Sequence, residues 1–340
     1  MMYTIRSKHW WSDAEEVTAV GVIFKTMFEI RLLHGEYEEA LLMGIRVLKI
    51  SGVLKMSRTK LAILPQLIQL TIRTKRIHET VDLMRELYHS APEDTDVSSI
   101  TWYYALCLDL AIDAGMILES FETCMEYARK ITAGSKHGAC VSRDPDSLRR
   151  LFTCLWLWQL RMGVPVTGNF AQTSKSCTRD IRADNFCHVL TLAKALECYL
   201  LILMRCINMK RGDQLAPLLD DIGPIVKVLQ RVSKTTLFIK PRLYLLKAYF
   251  EIVHGRKLSA MRYLRKGSKC ATRQGNVLML AWIRQNERAW TLKHFTNMTQ
   301  YWVEHVGGND GCDWQNMDCF DIKAWSSTLY PIPVPDTCLG

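Results

Sequence analysis

The stretch Leu32-Leu33-His34-Gly35-Glu36-Tyr37-Glu38-Glu39-Ala40-Leu41 carries the reading of the whole chain. An apolar series precedes it at Val20, Phe24, Met27 and Ile30, spaced to share one face of a helix. Gly35 tolerates the left-handed backbone that ends a helix. Beyond it, Tyr37, Ala40, Gly44 and Val47 fall on one face of a second helix, and the small residues among them let the two helices approach closely. The unit is a helical hairpin.

The same pattern returns downstream. A turn residue is followed two positions later by a hydrophobic residue and five later by a small one: Gly35 by Tyr37 and Ala40, Lys75 by Ile77 and Thr80, Gly115 by Ile117 and Ser120. Gly212, with Leu215 and Pro217, and Gly255, with Leu258 and Ala260, follow more loosely. The first three turns are 40 residues apart; Gly163 ends the apolar helix Leu151 to Met162, and the later spacings are 48, 49 and 43. A period of this size predicts an all-α chain, a right-handed solenoid of antiparallel helical hairpins of the tetratricopeptide type, lengthened to about 40 residues per unit.

Breaks between the units set the expected organisation. Pro92 to Asp96 is a polar turn before a helix starting near Ser98. Gly134 to Pro145 is a loop, with Asp146 or Ser147 as the N-cap of the next helix. Hairpin repeats are expected over 1–163 and 186–305, separated by a loop or insertion at 164–185. The last helix is expected to end near His305. An irregular tail covers 306–340, and its Tyr330 to Pro335 is extended or disordered.

Composition narrows the function. With 49% hydrophobic residues and 23% charged ones, the chain can bury a large core and is not globally disordered. The twelve cysteines form no C-x-x-C pair, and many sit in apolar runs, which suits a reducing, cytoplasmic setting. Met1 to Trp11 has no apolar signal core. The apolar run Tyr199 to Met204 with its neighbours reads as too short to cross a bilayer, so no membrane span is expected.

No catalytic, cofactor or metal residue is assigned. Neither a P-loop nor a G-x-G-x-x-G after a strand occurs. Asp109 and Asp113, four apart on one helix, and Asp220 with Asp221 could converge on a divalent cation, but read as solvated helix faces. Cys187-His188 and Cys312 with Cys319 lack the short spacings zinc needs, and Asn309 to Asp313 is only part of a calcium loop. His34 and His254 precede turn glycines, where a histidine meets the negative end of a helix dipole. The tryptophans read as core, with Trp282 and Trp290 on one face beside Gln285, Asn286 and Ala289.

One surface feature remains. The net charge is +10, and Arg262, Arg265, Lys266, Lys269 and Arg273 make a stripe along one helix. It could grip phosphates or an acidic helix, but reads first as a solvated face. Nucleic acid is not the expected partner, because no aromatic residue interleaves the stripe to stack bases. A basic helical-repeat RNA binder would need polar side chains in a fixed register in every unit, and the units vary in length.

Two stretches carry a resemblance: the Gly-Glu-Tyr-Glu-Glu-Ala-Leu hairpin within Leu32 to Leu48, and Gly255 to Trp290, with Gly275-Asn276, Ala281-Trp282-Ile283 and Ala289-Trp290. Together they resemble the C-terminal tetratricopeptide-like region of the soluble, bicarbonate-responsive adenylyl cyclases (adenylate cyclase type 10). That family makes cyclic AMP with two N-terminal cyclase domains. Nothing here matches their metal-binding carboxylates or a P-loop, so no catalytic residue is carried over. The resemblance implies a C-terminal fragment, or a product lacking the enzyme part; Met1 standing close to the first helix fits the latter. It implies a regulatory or scaffolding role toward a protein partner or neighbouring domain. Under the alternative, this is part of a cyclase whose catalytic domains lie outside this chain.

Overall fold

The computed structural model describes residues 13–90, 97–132, 144–163 and 185–291, together with Gln172, Lys175 and residues 332–334. Among the described residues there are twelve α-helices and no strand. They are α1 (Asp13–His34), α2 (Tyr37–Val53), α3 (Ser57–Arg73), α4 (Ile77–His89), α5 (Ser98–Ala114) and α6 (Phe121–Thr132), followed by α7 (Pro145–Arg161), α8 (Phe186–Asn208), α9 (Leu215–Val232), α10 (Lys240–Val253), α11 (Lys257–Gln274) and α12 (Val277–Thr291). The turn at Pro92 to Asp96, the loop 134–143, most of the interruption at 164–185 and the helix end near His305 lie outside the described residues. So do all but three residues of the tail 306–340, including Cys312, Cys319 and Asn309 to Asp313.

One turn recurs. Positive φ occurs at Gly35, Lys55, Lys75, Gly115, Gly163, Lys210, Gly255 and Gly275. After six of these, the following N–H reaches back to a carbonyl five residues earlier: Glu36 to Arg31, Met56 to Ser51, Arg76 to Thr71, Arg211 to Cys206, Arg256 to Glu251 and Asn276 to Ala271, at 2.8 to 3.0 Å. This bond satisfies carbonyls that a helix end otherwise leaves free. The expected turns at 35, 75, 115, 163 and 255 all have positive φ, although after Gly115 the Met116 N–H reaches to Leu110, six residues back. The one at Gly212 does not: Lys210 is left-handed there, and Gly212–Gln214 is a 3-10 turn. The additional turns at Lys55 and Gly275 divide the 40-residue unit into two helices of about equal length.

Helix starts follow local chemistry. The Asn185 side chain accepts from the His188 N–H at 2.9 Å, and Asn276 from that of Met279 at 3.1 Å. The N-cap of α7 is Asp144, not Asp146 or Ser147. Its carboxylate accepts from the Asp146 N–H, and Pro145 takes the first helical position, where its missing donor costs nothing.

Sequential helices pack in pairs, α1 on α2 and α10 on α11. Tyr37, Ala40, Gly44 and Val47 are all buried, as are Ile77 and Thr80. The third unit departs from the pattern. Ile117 is half-buried and Ser120 exposed, because α6 starts late and Cys124 and Ala128 occupy its contact face. Pro217 and Leu258 are exposed as well, so neither packs. From Thr18 onward on α1 the buried residues are Gly21, Phe28 and Leu32, while Val20 and Ile30 face out. Val and Ile occur all round this helix, so spacing alone could not select its inner side.

A second set of contacts links alternate helices. From α5 to α7, α8, α10 and α12 each touches the next; α3 touches α5, and α12 returns to touch α3. The Asn276 amide donates to the Tyr37 hydroxyl at 3.4 Å, joining the α11–α12 hairpin to the α1–α2 hairpin. Residues 332–334 lie across the same end. The Ile332 N–H donates to Asn286 at 2.7 Å, its carbonyl accepts from the Trp290 indole at 3.0 Å, and Tyr249 donates to the Pro333 carbonyl at 2.6 Å.

Helix α8 corrects one expectation. Its 23 residues and mean hydropathy of 1.7 are enough to cross a membrane by length and composition. However, 89% of its apolar window is buried against the other helices, and it carries Lys194 and Glu197.

Gly44 offers a direct test of the α1–α2–α3 contact. A Cβ there would lie 2.5 Å from Leu67 Cδ2 and 2.9 Å from Phe28 Cε2, whereas Gly52 on the same helix has open space. Gly44→Ala should destabilise the fold by about 1–3 kcal/mol in chemical denaturation. Gly52→Ala should be neutral or stabilise it by about 0.5–1 kcal/mol.

Candidate functional site

The alternate helices enclose charge. Asp109 and Asp113 are buried, not solvated, in a segment of α5 otherwise made of apolar side chains. Asp109 Oδ2 accepts from Arg150 Nε at 2.9 Å and Nη2 at 2.5 Å, and also from the Gln69 amide. Its Oδ1 lies 2.9 Å from Lys194 Nζ. The same ammonium is 2.9 Å from Asp113 Oδ2, while Arg242 stands 3.7 Å from Oδ1. Glu197 takes Arg161 through Nε at 2.9 Å and Nη2 at 2.6 Å, and Arg242 on its other oxygen. Arg161 also donates to the Ile112 carbonyl at 2.6 Å and lies 4.8 Å over the Trp282 ring. The Trp282 indole donates to the Asp113 carbonyl at 2.8 Å.

Many of these links join residues roughly one unit apart. Gln69 to Asp109 spans 40 residues, Asp109 to Arg150 spans 41, Arg150 to Thr191 spans 41, and Arg242 to Glu197 spans 45. The polar residues therefore form a ladder from one first helix to the next, buried where an isolated charge would be costly.

Burial alone pushes each carboxyl up, but the neighbouring cations win. Arg150 and Lys194 hold Asp109 below the usual range, Lys194 and Arg242 do so for Asp113, and Arg161 and Arg242 for Glu197. All three folded-state values are thus lowered. Their stabilising contribution is complete above the unfolded carboxylate values near 4 and is lost as pH falls through the folded ones. Thermal melts between pH 7 and pH 2.5 should show a falling midpoint below about pH 4.

Both carboxylates are thus engaged by buried cations, Asp109 by Arg150 and Lys194, and Asp113 by Lys194 and Arg242. The cavity next to them is 10 Å³, lined by Arg73, Arg150, Lys194 and Arg242, with Asp113 and Trp282. His188 faces Asp146. His254 Nδ1 sits 2.8 Å from the Phe250 carbonyl at the end of α10, and His34 is exposed in the last turn of α1. Cys124 and Cys154 are buried, and burial pushes the Cys124 thiol up to about 12.

The basic stripe lies on α11. Arg262, Arg265, Lys266, Lys269 and Arg273 are all exposed, on the side opposite the buried Ala260, Leu264, Gly267 and Ala271. Contrary to the reading of the sequence, an aromatic residue does border it. Tyr263 stacks on Tyr244, with Lys247 5.3 Å and Lys266 5.8 Å from its ring centre. Tyr263 also lines a groove of about 370 Å³ between α8, α9 and α10. Leu200, Ile222, Val226 and Phe250 line this groove, with Lys227 and Lys247 among its polar residues. Burial and the nearby Lys266 lower the Lys247 ammonium below its ordinary value. Sequence reasoning missed the groove because its walls come from four helices.

No family model matches the chain, and no solved structure does. Curated proteins do. Human adenylate cyclase type 10 is 20% identical over 278 residues, covering 81% of this chain and 17% of its own length. The rabbit (Oryctolagus cuniculus) and mouse (Mus musculus) proteins of the same name are 22% identical over 283 and 281 residues, with the same two shares. The chain is therefore similar, distantly but over most of its length, to one segment of adenylate cyclase type 10, and it spans about 17% of the length of the relatives it matches.

Proposed function

We propose that the chain is a non-catalytic helical-repeat region that acts in cyclic AMP signalling by holding an acidic protein partner or a neighbouring domain. The observation that carries this reading is the match of 81% of the chain to a segment making up only 17% of a cyclase. The repeated turn and the 40-residue polar ladder support a right-handed, tetratricopeptide-like superhelix of hairpins. Burial of Asp109 and Asp113 among Arg150, Lys194 and Arg242 supports the non-catalytic part. The partner's contact is the α11 stripe of Arg262, Arg265, Lys266, Lys269 and Arg273 together with the groove behind Tyr263. An acidic amphipathic helix fits it, apolar side in the groove and carboxylates toward the lysines.

Two titrations test this. Calorimetry of ATP with Mg²⁺ or Ca²⁺ into the chain should give no binding; saturable micromolar binding would favour an enzyme. Calorimetry with the catalytic region of adenylate cyclase type 10 should give saturable heat, weakened at least tenfold by Arg262→Glu, Arg265→Glu and Lys269→Glu together. No heat with that region, alongside steep salt-dependent RNA affinity removed by the same charge reversal, would replace the reading with RNA binding.

A further inference from the structure

A short segment from late in the sequence is held against α10 and α12 through side chains. Residues 331–335 read Pro-Ile-Pro-Val-Pro. Proline carries no N–H, fixes its own φ, and biases the residue before it toward extended backbone. A stretch with proline at every second position can complete neither a helix nor a central strand, so its backbone groups must be met another way. Three successive ones are met here. Asn286 Oδ1 accepts from the Ile332 N–H at 2.7 Å, the Trp290 indole donates to the Ile332 carbonyl at 3.0 Å, and the Tyr249 hydroxyl donates to the Pro333 carbonyl at 2.6 Å. The Ile332 side chain is buried, Pro333 is exposed and Val334 half-buried.

The slot stands on helices. Asn286 and Trp290 are four apart on α12 and share one face. Tyr249 comes from α10, its ring stacked on that of Trp290 with centres 6.0 Å and planes 20° apart. All three side chains are buried. The Asn286 amide also donates to the Trp282 carbonyl at 2.8 Å, which turns its oxygen toward the Ile332 N–H. Burial raises the Tyr249 hydroxyl above its ordinary value, so it stays protonated and able to donate.

We infer that the slot of Tyr249, Asn286 and Trp290 is a recognition site for proline-punctuated extended peptides of the apolar-Pro-apolar class. Ile332-Pro333-Val334 is its resident occupant, replaceable by a like segment of a partner protein. The bonds go to two carbonyls and one N–H of the backbone, which any such peptide presents, so the readout is not confined to this chain's own segment. Among the three occupant residues only Ile332 is buried, so little apolar area resists release. Aromatic side chains that meet a proline-rich ligand are the chemistry of polyproline recognition, in which a stiff ligand loses little entropy on docking. The chain's own segment then competes with the partner, and access to the slot depends on its release.

The test is a fluorescent peptide of residues 329–336, titrated into the full chain and read by anisotropy. Ile332→Asp should vacate the slot and bind the peptide with a Kd of about 100 µM or tighter, whereas the unaltered chain, its slot filled, should bind about tenfold more weakly. Adding Tyr249→Phe to Ile332→Asp keeps the ring, removes one donor and should weaken binding about fivefold. A second measurement needs no variant. In the ¹⁵N-labelled unaltered chain, about 1 mM unlabelled peptide should speed hydrogen exchange at the Ile332 amide. Failure of the peptide to bind Ile332→Asp overturns the inference, as does equal binding to the unaltered chain, equal binding by a peptide of scrambled order, or Ile332 protection that excess peptide leaves unchanged.

Discussion

Asp109→Asn should destabilise the chain by about 3–5 kcal/mol. Asn keeps the shape but removes the charge that Arg150 and Lys194 approach at 2.9 Å or less. Both cations stay buried, with one counter-charge fewer to face. The cost therefore comes from what is left uncompensated, more than from the bonds lost. Equilibrium denaturation in urea reads the effect. Asp82→Asn is the internal control: Asp82 pairs with Arg85 at 3.4 Å on the open surface, and its loss should change stability by less than about 0.5 kcal/mol. If the two variants behave alike, the buried ladder does not anchor the fold.

Trp282→Ala should cost about 3–5 kcal/mol as well, for a different reason. Its side chain is 1% exposed and meets three things at once: the Asp113 carbonyl at 2.8 Å, the Arg161 guanidinium over its face, and the wall of the central cavity. Truncation opens a large void, orphans a buried carbonyl, and uncovers a cation. Because Trp282 belongs to α12 and Asp113 to α5, the damage should be shared. Hydrogen exchange should quicken in α12 and in the last turn of α5 together, while α4 and α6 change little.

The hairpin was legible because its information is local. Gly35, Tyr37, Ala40 and Gly44 lie within ten residues, and one backbone turn follows from them. Lys55 and Lys210 were missed because lysine seldom takes positive φ, and Lys75 was found only through its 40-residue spacing from Gly35. The face of α1 was misjudged because its apolar residues encircle it. The buried ladder had a signal that was read the wrong way. Asp109 and Asp113 stand among Leu106, Leu108, Leu110 and Ile112, and Lys194 and Glu197 among Ala193, Ala195, Leu196 and Cys198. Charges embedded in apolar runs point inward, toward partners. Naming those partners needed coordinates, since Arg150, Arg161 and Arg242 come from other units. The α11 stripe was legible from spacing, but its groove was not.

The contact between Tyr37 and Asn276 changes how such an array comes apart. A linear stack melts by unzipping from its terminal units, each held by one neighbour only. Here α12 touches α3 and Asn276 bonds to Tyr37, so among the described helices the α11–α12 hairpin supports the α1–α2 and α3–α4 hairpins, and opening of one should loosen the other. Deleting the α1–α2 or the α11–α12 hairpin strips support from the other, so the described helices should denature in a single step.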